Sequence, residues 1–203
     1  MARLFFAVGI SGDAARALGS LSSRLEESAI RDCLRFVAIE QAHYTLRFLG
    51  EQSPERQASA VRAGYLTASG ARSFELVPHT LGVFPDERRP HTLWIGVGRG
   101  SVEMKALAER LGAALAAEGF SPEARPFVPH LTLARVKRRP PAAAMRALLA
   151  KPHEAIAPLR VEAFTLMESR SSPSGVRYVP LETFPLEIPC KPSESPSTAG
   201  PKS

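Results

Sequence analysis

Residues 42–49 read AHYTLRFL, and residues 129–136 repeat the arrangement as PHLTLARV. Both runs have strand character, and side chains along a strand alternate between two faces. In the first run His43, Thr45 and Arg47 fall on one face and Tyr44, Leu46 and Phe48 on the other. In the second, His130, Thr132 and Ala134 oppose Leu131 and Leu133. Each strand thus buries an apolar face and offers His plus Thr on the opposite one. With 5 His, 8 Thr and 22 Leu in 203 residues, about 0.02 copies of His-x-Thr-Leu are expected by chance, and two are present. Unrelated core packing has no reason to reproduce His, Thr and Leu at identical offsets.

Strand and helix signals alternate outward from these runs. Residues 3–9 (RLFFAVG) read as a strand, and 13–29 as a helix with Leu18, Leu21 and Leu25 at helical spacing and Ser11 as a cap. Ser53-Pro54-Glu55 opens a second helix, with proline in the permitted first turn. Strands are expected near 73–82 and 91–97. A third helix at 102–118 carries Leu107, Leu111 and Leu115 and stops at Gly119. Pro140-Pro141 starts a shorter alanine-rich helix, and strands follow at 159–168 and 175–184. The tail from about Pro189 (PCKPSESPSTAGPKS) lacks apolar anchors and is expected to be disordered. The expected organisation is one domain over 1–188 and a Pro/Ser-rich tail over 189–203, with the domain built as two similar halves.

Composition narrows the function classes. The chain is 44% hydrophobic and 23% charged, and no apolar run reaches the length of a membrane span. MARLFFAVGI meets Ser11 and Asp13 at once, so it reads as a buried strand and not as a leader. Cys33 and Cys190 stand far apart, which argues against a disulfide framework and for the cytoplasm as the default compartment. The net charge is +6 and 21 of the 26 basic residues are arginine. Arginine suits phosphate recognition, and a basic surface attracts polyanions.

Imidazole can act as acid or base near neutral pH. Opening a cyclic phosphodiester with water needs one group to take a proton from water and another to give one to the leaving oxygen. Two histidines flanking one phosphorus, His43 and His130, meet both needs. The hydroxyls of Thr45 and Thr132 can donate to the non-bridging oxygens, and a nearby arginine can offset their charge. The distant histidines match no common zinc spacing. No metal or other cofactor is expected.

The two motifs resemble the paired His-x-Thr-hydrophobic signature of the two-histidine phosphoesterase superfamily. The chain looks most like the RNA 2′,3′-cyclic phosphodiesterases, also described as 2′-5′ RNA ligases. The likeness runs through RLFFAV, HYTLRFLGE, GVFP, TLWIGV and PHLTLAR to ESR...PSG..Y..L near residue 181. One departure is VAIEQA at 37–42, where the family usually shows a proline and an Asn-Leu pair. The resemblance implies a bilobal α+β fold: two antiparallel sheets backed by helices, in lobes related by a pseudo-twofold axis, with the active cleft between them. It also implies hydrolysis of 2′,3′-cyclic phosphate ends to 2′-phosphates, with His43 protonating the 3′ oxygen and His130 activating water. Thr45, Thr132 and Arg135 match the family's phosphate-binding positions. Strict alternation sends Arg135 to the face opposite His130, so a bulge or the strand's end must turn it back. The expected partners are RNA ends or cyclic nucleotides as substrate, with no membrane, and the chain is expected to be monomeric. The competing readings are 2′-5′ RNA end joining and an RNA-end-binding module without turnover.

The remaining candidates read as structural. His91 is a strand-entry or surface group, and His79 and His153 sit in loops beside prolines. Trp94 reads as core, and Phe6, Phe84 and Tyr178 as interior aromatics that would otherwise stack on a base. Arg88, Arg89, Lys137, Arg138 and Arg139 form two basic clusters in predicted turns, serving either as a solvated surface or as a landing area for RNA.

Overall fold

The computed structural model describes residues 1–150, 156–172 and 175–188. The C-terminal tail, Cys190 and His153 lie outside these residues. Strand β1 (Ala2–Gly9) leads to helix α1 (Gly12–Glu26), then to a short strand β2 (Leu34–Phe36), β3 (His43–Gln52) and α2 (Pro54–Ala68). Next come β4 (Phe74–Leu76), β5 (Pro78–Phe84), β6 (Thr92–Val97), α3 (Ser101–Ala117) and β7 (Leu131–Val136). Helix α4 (Ala142–Ala150) and strands β8 (Leu159–Val161), β9 (Ala163–Ser172) and β10 (Gly175–Pro185) complete the order.

The long strands form an antiparallel sheet ordered β10-β9-β1-β3-β7-β6-β5, with β2 also pairing β7, while β4 and β8 make a small second sheet. The large sheet falls into two halves, β10-β9-β1-β3 and β2 with β7-β6-β5. They meet at one residue pair, Tyr44 opposite Leu131. These are the second residues of the two His-x-Thr-Leu motifs, so the repeat sits where the halves join.

Burial of alternate strand residues drives the assembly. Leu4, Phe6, Val8, Tyr44, Leu93, Ile95, Leu131 and Phe184 pack in one core with Leu18, Leu21 and Leu25 of α1, Ala60 and Ala63 of α2, and Leu107 and Leu111 of α3. Fully burying such a side chain contributes about 1.5–3 kcal/mol. Phe5 and Ala7, on the other face of β1, stand outside this cluster although both are buried. Helix α2 lies close against the sheet because Gly64 lacks a side chain: a Cβ there would stand 2.4 Å from Phe184 Cζ. Its start follows the expected chemistry, with Ser53 Oγ accepting from the Arg56 amide at 3.3 Å and Pro54 in the first turn.

Two expected strands are each divided. In 73–82, Val77 gives its amide to the Arg99 carbonyl, and Pro78, which has no N–H, opens β5. The first piece therefore pairs with β8 and the second with β6. In 159–168, the Glu162 carbonyl accepts from Leu186, which separates β8 from β9. Strand β2 went unread because three residues are too few to show a period. Helix α1 ends at Glu26, short of the expected residue 29.

Candidate active site

The antiparallel pairing of Tyr44 with Leu131 crosses the two motifs. Continuing that register by one residue carries His43 towards Thr132 and Thr45 towards His130. Tyr44 and Leu131 point into the core at 0% exposure. The flanking histidines and threonines therefore share the opposite face, where all four are partly buried. His130 is close enough to His43 that its charge opposes charging of His43.

Each imidazole is fixed in the same way. His43 Nδ1–H donates to the Gln41 carbonyl at 2.7 Å, and His130 Nδ1–H donates to the Val128 carbonyl at 2.8 Å. A carbonyl only accepts, so both Nδ1 atoms carry hydrogen and both Nε2 atoms are left for proton exchange. Gln41 closes a single helical turn, Ile39–Gln41, just before β3. The unusual VAIEQA segment thus still supplies the orienting carbonyl. The loop before His130 is tied down by Arg47, which bonds the Ser121 carbonyl and Glu123.

Aromatic rings fill the space beside each histidine. His43 lies 5.0 Å from Phe5 and meets Tyr178 edge-on at 4.9 Å. His130 meets Phe84 edge-on at 4.8 Å and Trp94 at 6.2 Å. Phe6 is the interior aromatic expected, whereas Tyr178 and Phe84 are histidine neighbours. Trp94 is likewise not core: it pairs with Thr132 on the cleft face and lies over Gly82, where a Cβ would approach Trp94 Cζ2 to 2.3 Å. Burial is the main cause that lowers both imidazoles below their usual 6.5, partly offset by the carbonyl bonds. For His130 the Arg135 cation lowers it further.

Bulges set which later residues join the cleft. Across β6 and β7, Thr92 pairs with Arg135 and Leu93 with Ala134, but Trp94 pairs with Thr132, leaving Leu133 as an extra residue. The extra residue resets the alternation, so Arg135 returns to the face of Thr132 and His130. There Arg135 Nη1 donates to Thr92 Oγ1 at 2.9 Å. Strand β3 has the same device: Thr45 pairs with Ala7 and Arg47 with Phe6, so Leu46 is extra. The ladder then pairs Phe48 with Phe5, and a second shift follows at Leu49. Arg47 accordingly leaves the face of His43 for the core side, its side chain only 12% exposed. Phe48 turns onto the cleft face, packs 5.8 Å from Phe5 and remains 62% exposed.

One cationic residue of the cleft face was missed. Arg35 of β2 stands directly opposite Arg135 in the ladder, and directly opposed side chains share a face. Its signal, the alternation in LRF at 34–36, was too short to read. The other histidines stand apart. His91 is an exposed residue at the entry to β6, as expected, while His79 belongs to β5 and not to a loop. Among the described residues no group of three or more His, Cys, Asp or Glu side chains is arranged to hold a metal ion. None of the described helices is long and apolar enough to cross a membrane.

Comparison with known proteins agrees with this geometry. Residues 20–173 match the model of the 2′-5′ RNA ligase superfamily. An Archaeoglobus fulgidus protein named RNA 2′,3′-cyclic phosphodiesterase is 30% identical over 182 residues, covering 90% of this chain and 99% of the relative. An Aeropyrum pernix protein of the same name is 39% identical over 105 residues, but the match spans only 51% of this chain and 58% of that relative. A crystal structure of a Thermus thermophilus protein superposes with a TM-score of 0.75 at 28% identity, covering 93% of this chain and 100% of the other. The chain belongs to the 2′-5′ RNA ligase superfamily of two-histidine phosphoesterases.

Proposed function

We propose that this chain hydrolyses RNA 2′,3′-cyclic phosphate ends to 2′-phosphates. The observation that carries the reading is the crossed pair of His-x-Thr motifs, with both Nδ1 atoms committed to carbonyls and both Nε2 atoms available on one cleft face. The superfamily membership and the relatives' names support the same chemistry.

The steps follow from the groups present. His130 Nε2 takes a proton from water while the water oxygen bonds to phosphorus. The bond from phosphorus to O3′ breaks, and His43, carrying a proton on Nε2, delivers it to that oxygen. A 2′-phosphate monoester and a free 3′ hydroxyl result. The Arg135 cation favours the neutral form of His130, which suits a base. Thr45, Thr132 and Arg135 hold the non-bridging oxygens, whose charge grows in the transition state. Every group in this scheme is a side chain, so we infer that the reaction needs no metal, and we place it in the cytoplasm and in a monomer.

The direct test is incubation of 2′,3′-cyclic AMP with the protein in excess EDTA. The expected product is 2′-AMP at an undiminished rate. Loss of turnover that zinc or manganese restores would exclude the two-imidazole scheme. Formation of 3′-AMP would mean that the leaving oxygen, and hence the role of His43, is reversed.

A further inference from the structure

Two arginine-rich turns far apart in sequence meet in space. Arg89, from the turn between β5 and β6, and Lys137, Arg138 and Arg139, which follow β7, line one open cavity of about 310 Å³ with His91 and Val136. Backbone bonds fix its walls: Val136 donates to the His91 carbonyl at 3.0 Å, and Lys137 donates to the Cys33 carbonyl at 2.8 Å. The same turn holds two acids, Asp86 and Glu87; Asp86 is engaged locally, accepting from the Arg88 and Arg89 amides at 2.7 and 3.1 Å. Among the described residues none of the four cations forms an ion pair.

The cavity adjoins the ends of β6 and β7 that carry Thr92 and Arg135. Val136 follows Arg135 and His91 precedes Thr92, the bonded pair on the cleft face. Arg35 lies opposite Arg135 on the other side, and like charges directly opposed across a ladder are destabilising. A run of cations held together without acidic partners is relieved by a bound polyanion. At about 3.3 Å per residue, Val136 at the near edge of the cavity stands at most ~20 Å from His130 along β7, and Arg139 at most ~30 Å. A terminal cyclic phosphate is the last phosphate of its strand, so everything else in the RNA extends to its 5′ side.

We propose that this cavity is a second phosphate site, which binds the backbone of the RNA strand a few nucleotides 5′ of the cyclic end. This rests on the reading of the substrate as an RNA end. The site gives the enzyme a preference for oligonucleotides over cyclic mononucleotides, because only the former reach both the histidines and the distal cations. Its contribution is ionic and falls with salt.

The test compares wild type with a variant carrying Arg89→Ala, Lys137→Ala, Arg138→Ala and Arg139→Ala. Substrates are 2′,3′-cyclic AMP and a short oligoribonucleotide ending in a 2′,3′-cyclic phosphate. Fluorescence anisotropy with the 2′-phosphate-ended oligonucleotide reads binding independently of turnover, and thermal melting confirms the fold. The variant is expected to lose roughly tenfold or more in kcat/KM and affinity for the oligonucleotide, with a shallower salt dependence, and to keep its rate on the mononucleotide within about twofold. Unchanged oligonucleotide affinity would overturn the proposal, as would equal losses on both substrates. Preferential loss of binding to polyglutamate, with RNA unaffected, would also overturn it in favour of an acidic protein. If neither substrate turned over, the hydrolase reading would fall, while the anisotropy difference would still decide the phosphate site.

Discussion

The two halves of the sheet carry the same His-x-Thr-Leu frame and then diverge. In each, a histidine bonds the carbonyl two residues behind it, a threonine follows on the same face, and a bulged leucine resets the strand. Five residues after the histidine, one half presents Arg135 and the other presents Phe48. The surroundings differ accordingly. His130 has a cation on its face of the strand and aromatic edges from Phe84 and Trp94, whereas His43 lies among Phe5 and Tyr178. The frame is shared, and the fifth position gives two chemically identical imidazoles different surroundings, the difference on which the proposed acid and base roles rest.

The largest expected effect comes from removing either imidazole. His43→Ala and His130→Ala should each lower kcat on a cyclic nucleotide by about 10²–10⁴-fold. Affinity for a 2′-nucleotide should be largely kept, because in the proposed scheme the threonines and Arg135 still hold phosphate. Steady-state kinetics beside product-binding calorimetry would check this. A folded alanine variant with near wild-type kcat would remove its histidine from the mechanism.

Arg135→Gln should cost roughly 10²-fold in kcat and also move the pH profile. The cation lowers the His130 pKa, so its loss raises that pKa, and the acid limb of kcat/KM should shift to higher pH. Phe48→Arg tests the comparison from the other half. A cation there should lower the pKa of His43, moving the alkaline limb down with a smaller loss of rate. A pH profile unchanged in both variants would show that the fifth position does not distinguish the histidines.

The smallest effect concerns stability. Both imidazoles titrate below 6.5 in the folded protein, mainly because burial disfavours the charged ring. Folding therefore favours the neutral form: this contribution is complete above pH 6.5 and is lost as pH falls towards the folded-state values. Urea midpoints should decline on acidification below 6.5, and less steeply in a His43→Gln, His130→Gln double variant. An equal decline in both proteins would place the acid sensitivity elsewhere.

Periodicity made the long elements legible, and the repeated motif marked His43, His130, Thr45 and Thr132 before any coordinates. What it could not show was the bulges. Strict alternation placed Arg47 beside His43 and Phe48 in the core, and left Arg135 on the wrong face. One extra residue in each strand reverses those assignments, and no residue type at Leu46 or Leu133 announces it. Short pieces also escaped: β2 offers only three residues, so Arg35 went unseen. The convergence of Arg89 with Arg138 depends on which strands are neighbours, which local sequence does not encode.

The division of labour between the halves is tested most directly by a substrate whose leaving group departs without protonation. An activated aryl phosphodiester needs a base to deprotonate water but no acid for the departing oxygen. The account predicts that kcat of His43→Ala, measured relative to wild type, recovers substantially on this substrate compared with the cyclic nucleotide. His130→Ala should stay impaired on both. Rescue of His130→Ala instead, or equal rescue of the two variants, would contradict the assignment of His43 as acid and His130 as base.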